Sequence, residues 1–349
     1  MTYEMVEYQE TYQAAWNEFG RTHGSLFHRL EWKEILEEAC GYRSVYLLVL
    51  DERQVVAGLL PLCTGRNLAL QRVGVSLPFV HYVNICCRDD EVYRFIVERL
   101  ALLPRLYGLS YLEVRLKDGE IPAGGAGLND QNATFILPLD GDEAAILARA
   151  SSDNRRRTRL VYQKDLFAVS FDKAHLPAFY DVYRRRQKQL GSPAAAIKLF
   201  ETIQRKLPDH TILLTVLERK TRQVVGGMFL LADNKTIYYH WGATLVEYNA
   251  HHLNHFMYRE AIKFGLRENY QYLDLGRSPT TPGHSGTYGF KAQFGAPPAP
   301  LKYYRFGPGY EGHWSNSHAK FEPLIALWKR LPAPLTDVAG RALIKHVMP

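Results

Sequence analysis

Long apolar runs are missing from this chain, and none approaches the ~20 residues that a membrane-crossing helix needs. The opening decapeptide MTYEMVEYQE is acidic and has no apolar core, so it does not read as a secretory leader. A soluble or at most peripheral protein is expected, cytoplasmic or at the inner face of the membrane. Cysteine is scarce as well. Cys40, Cys63, Cys86 and Cys87 show no CxxC spacing, and adjacent Cys86 and Cys87 make a poor disulfide pair. Reduced thiols in a cytoplasmic compartment are the simplest expectation. No His/Cys/Asp set with ligand spacing accompanies them, so no metal site is expected. Acidic residues are in deficit, 36 against 43 Lys and Arg, giving a formal charge of +7 and a pI near 9.1. That balance points to an anionic partner: a phosphorylated small molecule, RNA or an acidic membrane surface.

What is present is a repeat. The 349 residues, 46% of them apolar, exceed one ordinary core and imply two domains. Arg53–Leu62 reads RQVVAGLLPL and Arg222–Leu231 reads RQVVGGMFLL. Each follows an apolar strand, VYLLVL or ILLTVL, across a short polar turn. Later in each half comes a helical pattern and then a matching strand, SYLEVR from Ser110 and QYLDLGR from Gln271. Two matches in the same order imply tandem duplication of one α/β unit. The expected domains are 1–143 and 150–310, joined by a mostly helical connector from Asp142 to about Phe167. A tail, 311–349, carries helices over Lys320–Leu331 and Leu335–Val347. In the second half a meander is predicted over Thr211–Arg219, Gln223–Ala232 and Thr236–Ala243. A helix follows over His251–Asn269, with Leu253, Phe256, Met257, Ala261 and Phe264 on one apolar face.

The segment most suggestive of chemistry is YLDLGRSPTTPGHSGTYGFKAQFG, Tyr272–Gly295. It reads as a buried strand that empties into a loop marked by Gly276, Pro279, Pro282, Gly283 and Gly286, then a short helix with one lysine. Backbone N–H groups of such a loop can face a phosphate or a developing oxyanion. Asp274, Arg277, Ser278, Tyr288 and Lys291 converge there, against the plainer reading of a solvated βα loop.

The order of elements fits the acyltransferase fold of the GNAT superfamily, and the pairing of DLGRS with GTYGFKAQFG, after the helix opening LNHFMYREAI, resembles the FemAB/FemX family. The similarity is nearest to its branch associated with exosortase and exopolysaccharide gene clusters. It implies two tandem GNAT-like domains and transfer of an aminoacyl or acyl group to an amine of a cell-envelope or exopolysaccharide precursor. On this reading no cofactor is required. The donor is aminoacyl-tRNA, acyl-CoA or an acyl-carrier protein, and the acceptor is an anionic or phosphorylated small molecule. The family's Phe-Lys pair falls on Phe290 and Lys291, whose ammonium would stabilise charge during transfer; the alternative is a surface lysine on a short helix. Arg277 can grip a phosphate or carboxylate, with Ser278 beside it. Asp274 is either part of the reacting group or an acceptor that ties the loop down. Tyr288 either donates a proton or packs. Asn254 corresponds to a family asparagine that bonds a ligand or caps the helix.

Other positions carry weaker signals. Tyr238, Tyr239, His240 and Trp241 form a polar-aromatic strand, and alternation sends one pair to each face, with Tyr239 and Trp241 proposed for the cleft. His240 is either a base or structural. DNRRRTRLVYQK, with Arg155 and Arg159, is either a phosphate-binding helix, including one for tRNA, or a solvated face. In the first half, Lys33 lies in an entry helix similar to the family's. Leu77–Ile85 falls where relatives line the acceptor pocket, but Val83 and Asn84 stand in place of glycines. Arg259 stands where the family usually has Trp. The glycine-rich turn that holds the pyrophosphate in CoA enzymes is absent, since TLVEYNAHHLNH precedes the long helix; this disfavours CoA. A non-catalytic module of a polysaccharide-assembly complex is the remaining alternative. The tail's Phe321, Leu324, Ile325, Leu327 and Trp328 form an apolar face that either completes a core or meets a membrane interface.

Overall fold

The computed structural model describes residues 2–122, 126–281, 286–308, 310, 312–313 and 322–346. Pro282, Gly283, Lys320 and Phe321, invoked above, lie outside the described residues. The chain opens with β1 (Glu4–Glu7), α1 (Gln13–His23) and α2 (Glu31–Cys40), then β2 (Arg43–Leu50), β3 (Val56–Arg66), β4 (Arg72–Val75) and β5 (Cys86–Cys87). Next come α3 (Asp90–Leu100), α4 (Leu103–Tyr107), β6 (Tyr111–Leu116) and β7 (Gly127–Pro138). α5 (Glu143–Arg149), α6 (Ser152–Lys164), β8 (Phe167–Ser170), α7 (Leu176–Leu190) and α8 (Ile197–Lys206) follow. β9 (Thr211–Glu218), β10 (Val224–Asp233), β11 (Thr236–Thr244), α9 (Leu253–Arg267), β12 (Tyr272–Asp274), β13 (Ser278–Pro279) and α10 (Gly286–Ala292) make the second meander and its site. β14 (Pro298–Phe306), β15 (Gly312–His313), α11 (Glu322–Arg330) and α12 (Ala333–Leu343) end the described chain.

Two compact units result, and neither is a contiguous stretch. The first comprises 1–131, 300–316 and 342–349, and the second 132–299 and 317–341. In the first, β1–β2–β3–β4 are antiparallel neighbours, β4 pairs parallel with β6, and β6 pairs antiparallel with β14. In the second, β8–β9–β10–β11 are antiparallel neighbours, β11 pairs parallel with β12, and β12 pairs antiparallel with β7. The strand order is the same in both, so the chain is a mixed α/β protein of two like units with a helical tail. Each repeat yields its last strand to the other's sheet: β7 follows β6 in sequence yet pairs with β12, and β14 follows β12 yet pairs with β6. Contiguous domains 1–143 and 150–310 therefore do not describe the division. Short-range patterning cannot reveal such an exchange, because a strand reads alike whichever sheet it joins.

The repeated RQVV segments lie in equivalent β2–β3 and β9–β10 hairpins. Each hairpin carries a bulge at the start of its second strand, and a positive-φ turn residue precedes it, Gln54 (φ 59°) in one and Arg222 (φ 61°) in the other. The helix bounds are close to those expected, but β8 interrupts the connector at Phe167, where a helix was expected to end. FAVS is too short for period-2 alternation to be distinguished from a helical fragment.

The second core gathers Phe135, Leu137, Val161, Phe167, Met228 and Leu273 with α9's buried face. In the first unit, Glu113 of β6 is wholly buried between two arginines. Its carboxylate accepts from Arg115 Nε at 2.9 Å and from Arg305 Nε of β14 at 2.8 Å. Arg305 also stacks 4.5 Å from the Tyr111 ring. Removing one member of such a group strands the others' charge in the interior. Glu113→Ala is expected to cost about 3–5 kcal/mol in urea unfolding, whereas substitution of exposed Glu120 should leave the urea midpoint nearly unchanged.

Candidate active site

The site of the second unit is set by where β11 and β12 separate. Their parallel pairing covers only Thr236–Tyr238 against Tyr272–Asp274, while β11 runs on to Thr244. Past Asp274 the chain turns to the other side: Leu275 N–H donates to Phe135 O at 2.8 Å, and Ser278 and Pro279 pair with Ala133 and Asn132. Gly276, at φ 77°, occupies the left-handed conformation this turn requires. The two strands thus diverge, leaving a gap between them.

A bulge in β11 decides what faces that gap. Phe229 opposes Trp241 and Leu230 opposes Tyr239, so His240 has no opposite number. The extra residue reverses alternation. Tyr239 and Trp241, two apart, consequently fall on opposite faces rather than sharing one. Tyr239 packs 5.5 Å from Tyr258 of α9. Trp241 is 7% exposed and packs 5.3 Å from Phe200 of α8 and 5.8 Å from Phe229. Its expected place in the cleft is corrected accordingly: it belongs to an aromatic core. Burial pushes the His240 imidazole down to about 3, which leaves it neutral and a weak base.

Lys291 reaches the gap from α10. Only 5% exposed, it is not the surface lysine that a short helix also allowed. Its Nζ donates to Gly276 O at 2.8 Å and Arg277 O at 3.0 Å, and lies 5.6 Å from the centre of the Tyr239 ring. Burial pushes its pKa down to about 7, against the opposing attraction of Asp274 and with a further lowering by Arg277. Asp274, 2% exposed, accepts from Gly276 N–H at 2.8 Å and from the Thr134 hydroxyl. It ties the loop down and faces the lysine's charge.

The remaining expected residues divide. Phe290 lies 5.1 Å from His255, 5.2 Å from Tyr258 and 5.4 Å from Phe294, an aromatic group that seats α10 on α9. Burial pushes His255 down to about 4. Tyr288 is half-buried with its ring 4.9 Å from Phe135, the packed alternative. Arg277 is exposed, whereas Ser278 is fully buried and its hydroxyl has no partner among the described residues. Asn254 accepts from the Thr244 hydroxyl at 3.4 Å, linking α9's first turn to the end of β11. Arg155 donates to Ala148 O and Ala150 O, closing the end of α5, which is a structural role; Arg159 is exposed. Arg259 pairs with Glu143 at 2.6 Å, so this cation fastens α5 to α9. Lys33 belongs to the first unit and pairs with Glu37 at 3.0 Å along α2. There the Asn84 side chain accepts from Lys117 and Asp118 N–H at 2.9 Å, a turn-closing task that glycine cannot perform.

Thr134, Tyr258 and His255 were not anticipated. Thr134 precedes Asp274 by 140 residues, and no sequence signal connects them. His255 and Tyr258 stand at i and i+3 on α9, a helical spacing that carries some information. Among the described residues, no group of three or more His, Cys, Asp or Glu side chains is placed to hold a metal ion.

Residues 148–292, which include β11, α9, β12 and α10, match the family model of an acetyltransferase (GNAT) domain. No curated protein matches the chain. Among solved structures, the chain is similar to FemX: 13% identical, TM-score 0.61, covering 92% of this chain and 100% of that one. It is also similar to a tandem GNAT protein from the clavulanic acid biosynthesis pathway, 12% identical, TM-score 0.54, covering 87% and 98%. L-PGS from Bacillus licheniformis is 12% identical with TM-score 0.50, covering 90% and 96%. At such identities the likeness is one of fold, and the two like units described above are GNAT-like.

A lysine whose folded pKa lies below its unfolded value destabilises the fold most below the folded pKa, and that penalty is relieved as pH rises through the range where only the unfolded chain is protonated. Stability therefore rises with pH from about 7 towards 10 as far as this group is concerned. The stability difference between the parent and Lys291→Met, measured by urea unfolding at pH ~6.5 and ~9.5, should shift in the parent's favour at the higher pH, by one to a few kcal/mol. An unchanged difference would mean the amine is not perturbed by its site.

Proposed function

We propose that this chain is an amide-forming acyltransferase, moving an aminoacyl or acyl group to an amine of a cell-envelope or exopolysaccharide precursor. The observation that carries this reading is the divergence of β11 from β12 with buried Lys291 in the gap. Attack of an amine on an activated ester needs alignment of the two groups and charge stabilisation as the carbonyl oxygen becomes an oxyanion. The ammonium form of Lys291, held to the carbonyls of Gly276 and Arg277, brings positive charge to this gap with its position already set. Asp274 and Thr134 hold the loop that Lys291 grips. Arg277, exposed on that loop, is placed to take an anionic group of the substrate. A cytoplasmic setting, facing the membrane from within, is part of the proposal.

The donor side is read from the start of α9. The residues before it form a three-ten turn, Val246–His251, and His252 at φ 58°, without the glycines that let backbone wrap a pyrophosphate. Burial, then Arg157, Lys164 and Arg156 of α6, hold the His252 imidazole below its usual range. These cations beside an uncapped helix start supply an anion-attracting surface. That supports aminoacyl-tRNA or acyl-carrier protein over CoA as donor.

Offering the purified chain charged tRNA, acyl-CoA and acyl-carrier protein in turn, with amine-bearing envelope precursors and mass spectrometric detection, should give amide product with at least one donor. Consumption of none overturns the proposal. With the true pair in hand, Lys291→Met should lower kcat about 10²–10³-fold with little change in KM, and Lys291→Arg should restore little. Because the cation is the working form, the parent's kcat should fall as pH rises through about 7, and that fall should be absent from the residual activity of Lys291→Met.

A further inference from the structure

The tail of the second unit leaves an apolar patch uncovered. Among the described residues, large apolar side chains exposed in that unit are Leu190, Val246, Tyr272, Leu324, Leu327 and Leu335, and four of these six lie at the end of α7 or on α11 and α12. Leu190 is 50% exposed, Leu324 60%, Leu327 56% and Leu335 57%. α11 docks on α7 with a different stripe. A Cβ on Gly191, at α7's end, would meet Ile325 at 2.4 Å and Lys329 at 3.1 Å, and the Trp328 ring lies 3.7 Å from a Cβ built on Gly340 of α12. At about 3.6 residues per turn, Leu324, Leu327 and Leu331 form a second stripe beside Trp328, while Lys329 falls with Ile325 on the side that meets Gly191 and Arg330 lies next to Leu327. The helix thus satisfies its packing with one face and still shows another apolar face to solvent.

Charge says what would cover it. Residues 181–190 hold Arg184, Arg185, Arg186 and Lys188 against Asp181 alone. Asp181 and Asp337 engage Arg184 and Arg185. Arg186, Lys188, Lys329 and Arg330 have no carboxylate partner among the described residues. Exposed leucines bordered by cations without a carboxylate partner, Arg330 beside Leu327 and Arg186 one turn before Leu190, match the interface between the acyl chains and headgroups of an anionic bilayer, where the leucines bury and each cation gains from the surface potential. We infer that the α7–α11–α12 face docks on anionic lipid. The association is peripheral, since no helix among the described residues is long and apolar enough to cross a membrane. The inference stands whether or not the acyl-transfer reading holds.

Co-sedimentation of the full chain with vesicles tests it. Phosphatidylcholine vesicles containing about 30 mol% phosphatidylglycerol should bind the chain, phosphatidylcholine alone should not, and about 0.5 M salt should release it. The double variant Leu324→Asp, Leu327→Asp should weaken binding to anionic vesicles at least about tenfold with an unchanged Tm. Arg186→Ser with Arg330→Ser should also weaken it, while leaving any residual affinity less salt-dependent. Failure of the parent to bind anionic vesicles, or equal binding by parent and leucine variant, overturns the inference. So does a dimer, seen by analytical ultracentrifugation, that the leucine substitutions dissociate, because a second copy would then be the cover.

Discussion

Lys291 places an amine in a gap between two parallel strands, and the shape of the second unit's site depends on how that amine is held. A buried ammonium without partners is too costly to persist. Here two of its three donors go to consecutive carbonyls, Gly276 O and Arg277 O, and Asp274 offsets part of the desolvation. The partners are in turn constrained. Gly276 adopts a left-handed conformation, and its N–H and the Thr134 hydroxyl bind the same Asp274 oxygen. One side chain therefore fixes helix α10 to the turn after β12, and Asp274 ties that turn to Thr134 of β7. The pKa near 7 is the electrostatic record of that arrangement: burial pulls it down, and the carboxylate prevents a larger fall.

Comparison of the two units sharpens the point. Glu113 and Asp274 occupy matching places in SYLEVR and QYLDLGR, and both are buried. In the first unit the carboxylate is closed off by Arg115 and by Arg305, which arrives on β14. In the second, β7 takes the place of β14 but brings Thr134 and no cation, and the positive charge comes instead from α10. A duplicated framework has thus been given a sealed ion group in one copy and a titratable amine beside diverging strands in the other. The exchange of terminal strands makes this possible, since each copy's buried carboxylate meets residues encoded far from it.

The bulge at His240 has a comparable reach. By one extra residue it sends Trp241 to the aromatic layer of Phe200 and Phe229 and leaves Tyr239 to face Lys291. Without it, regular alternation would put both rings on one side of β11. The bulge also lies just past the last residue paired with β12, so the strand changes its facing where it loses its neighbour.

Much of this molecule was open to reading along the chain. The duplicated hairpins, the late strands, the long helix and the loop-to-helix motif around Asp274 and Lys291 all rest on local periodicity and on glycine and proline placement, which act within a few residues. The resemblance of DLGRS and GTYGFKAQFG to FemAB/FemX came from the same short segments. What local sequence did not carry was partnership. Whether Arg155 binds a phosphate or closes α5, whether Lys291 is exposed or buried, which sheet receives β7 and β14, and that Thr134 bonds Asp274 depend on residues brought together from far apart. Such contacts are chosen by packing and by the need to satisfy every buried polar group, a condition that only the folded chain imposes. The sequence by itself determined the repeated α/β framework and the residues available to the site; tertiary structure decided which of them meet, because burial and strand pairing assign each side chain its neighbours.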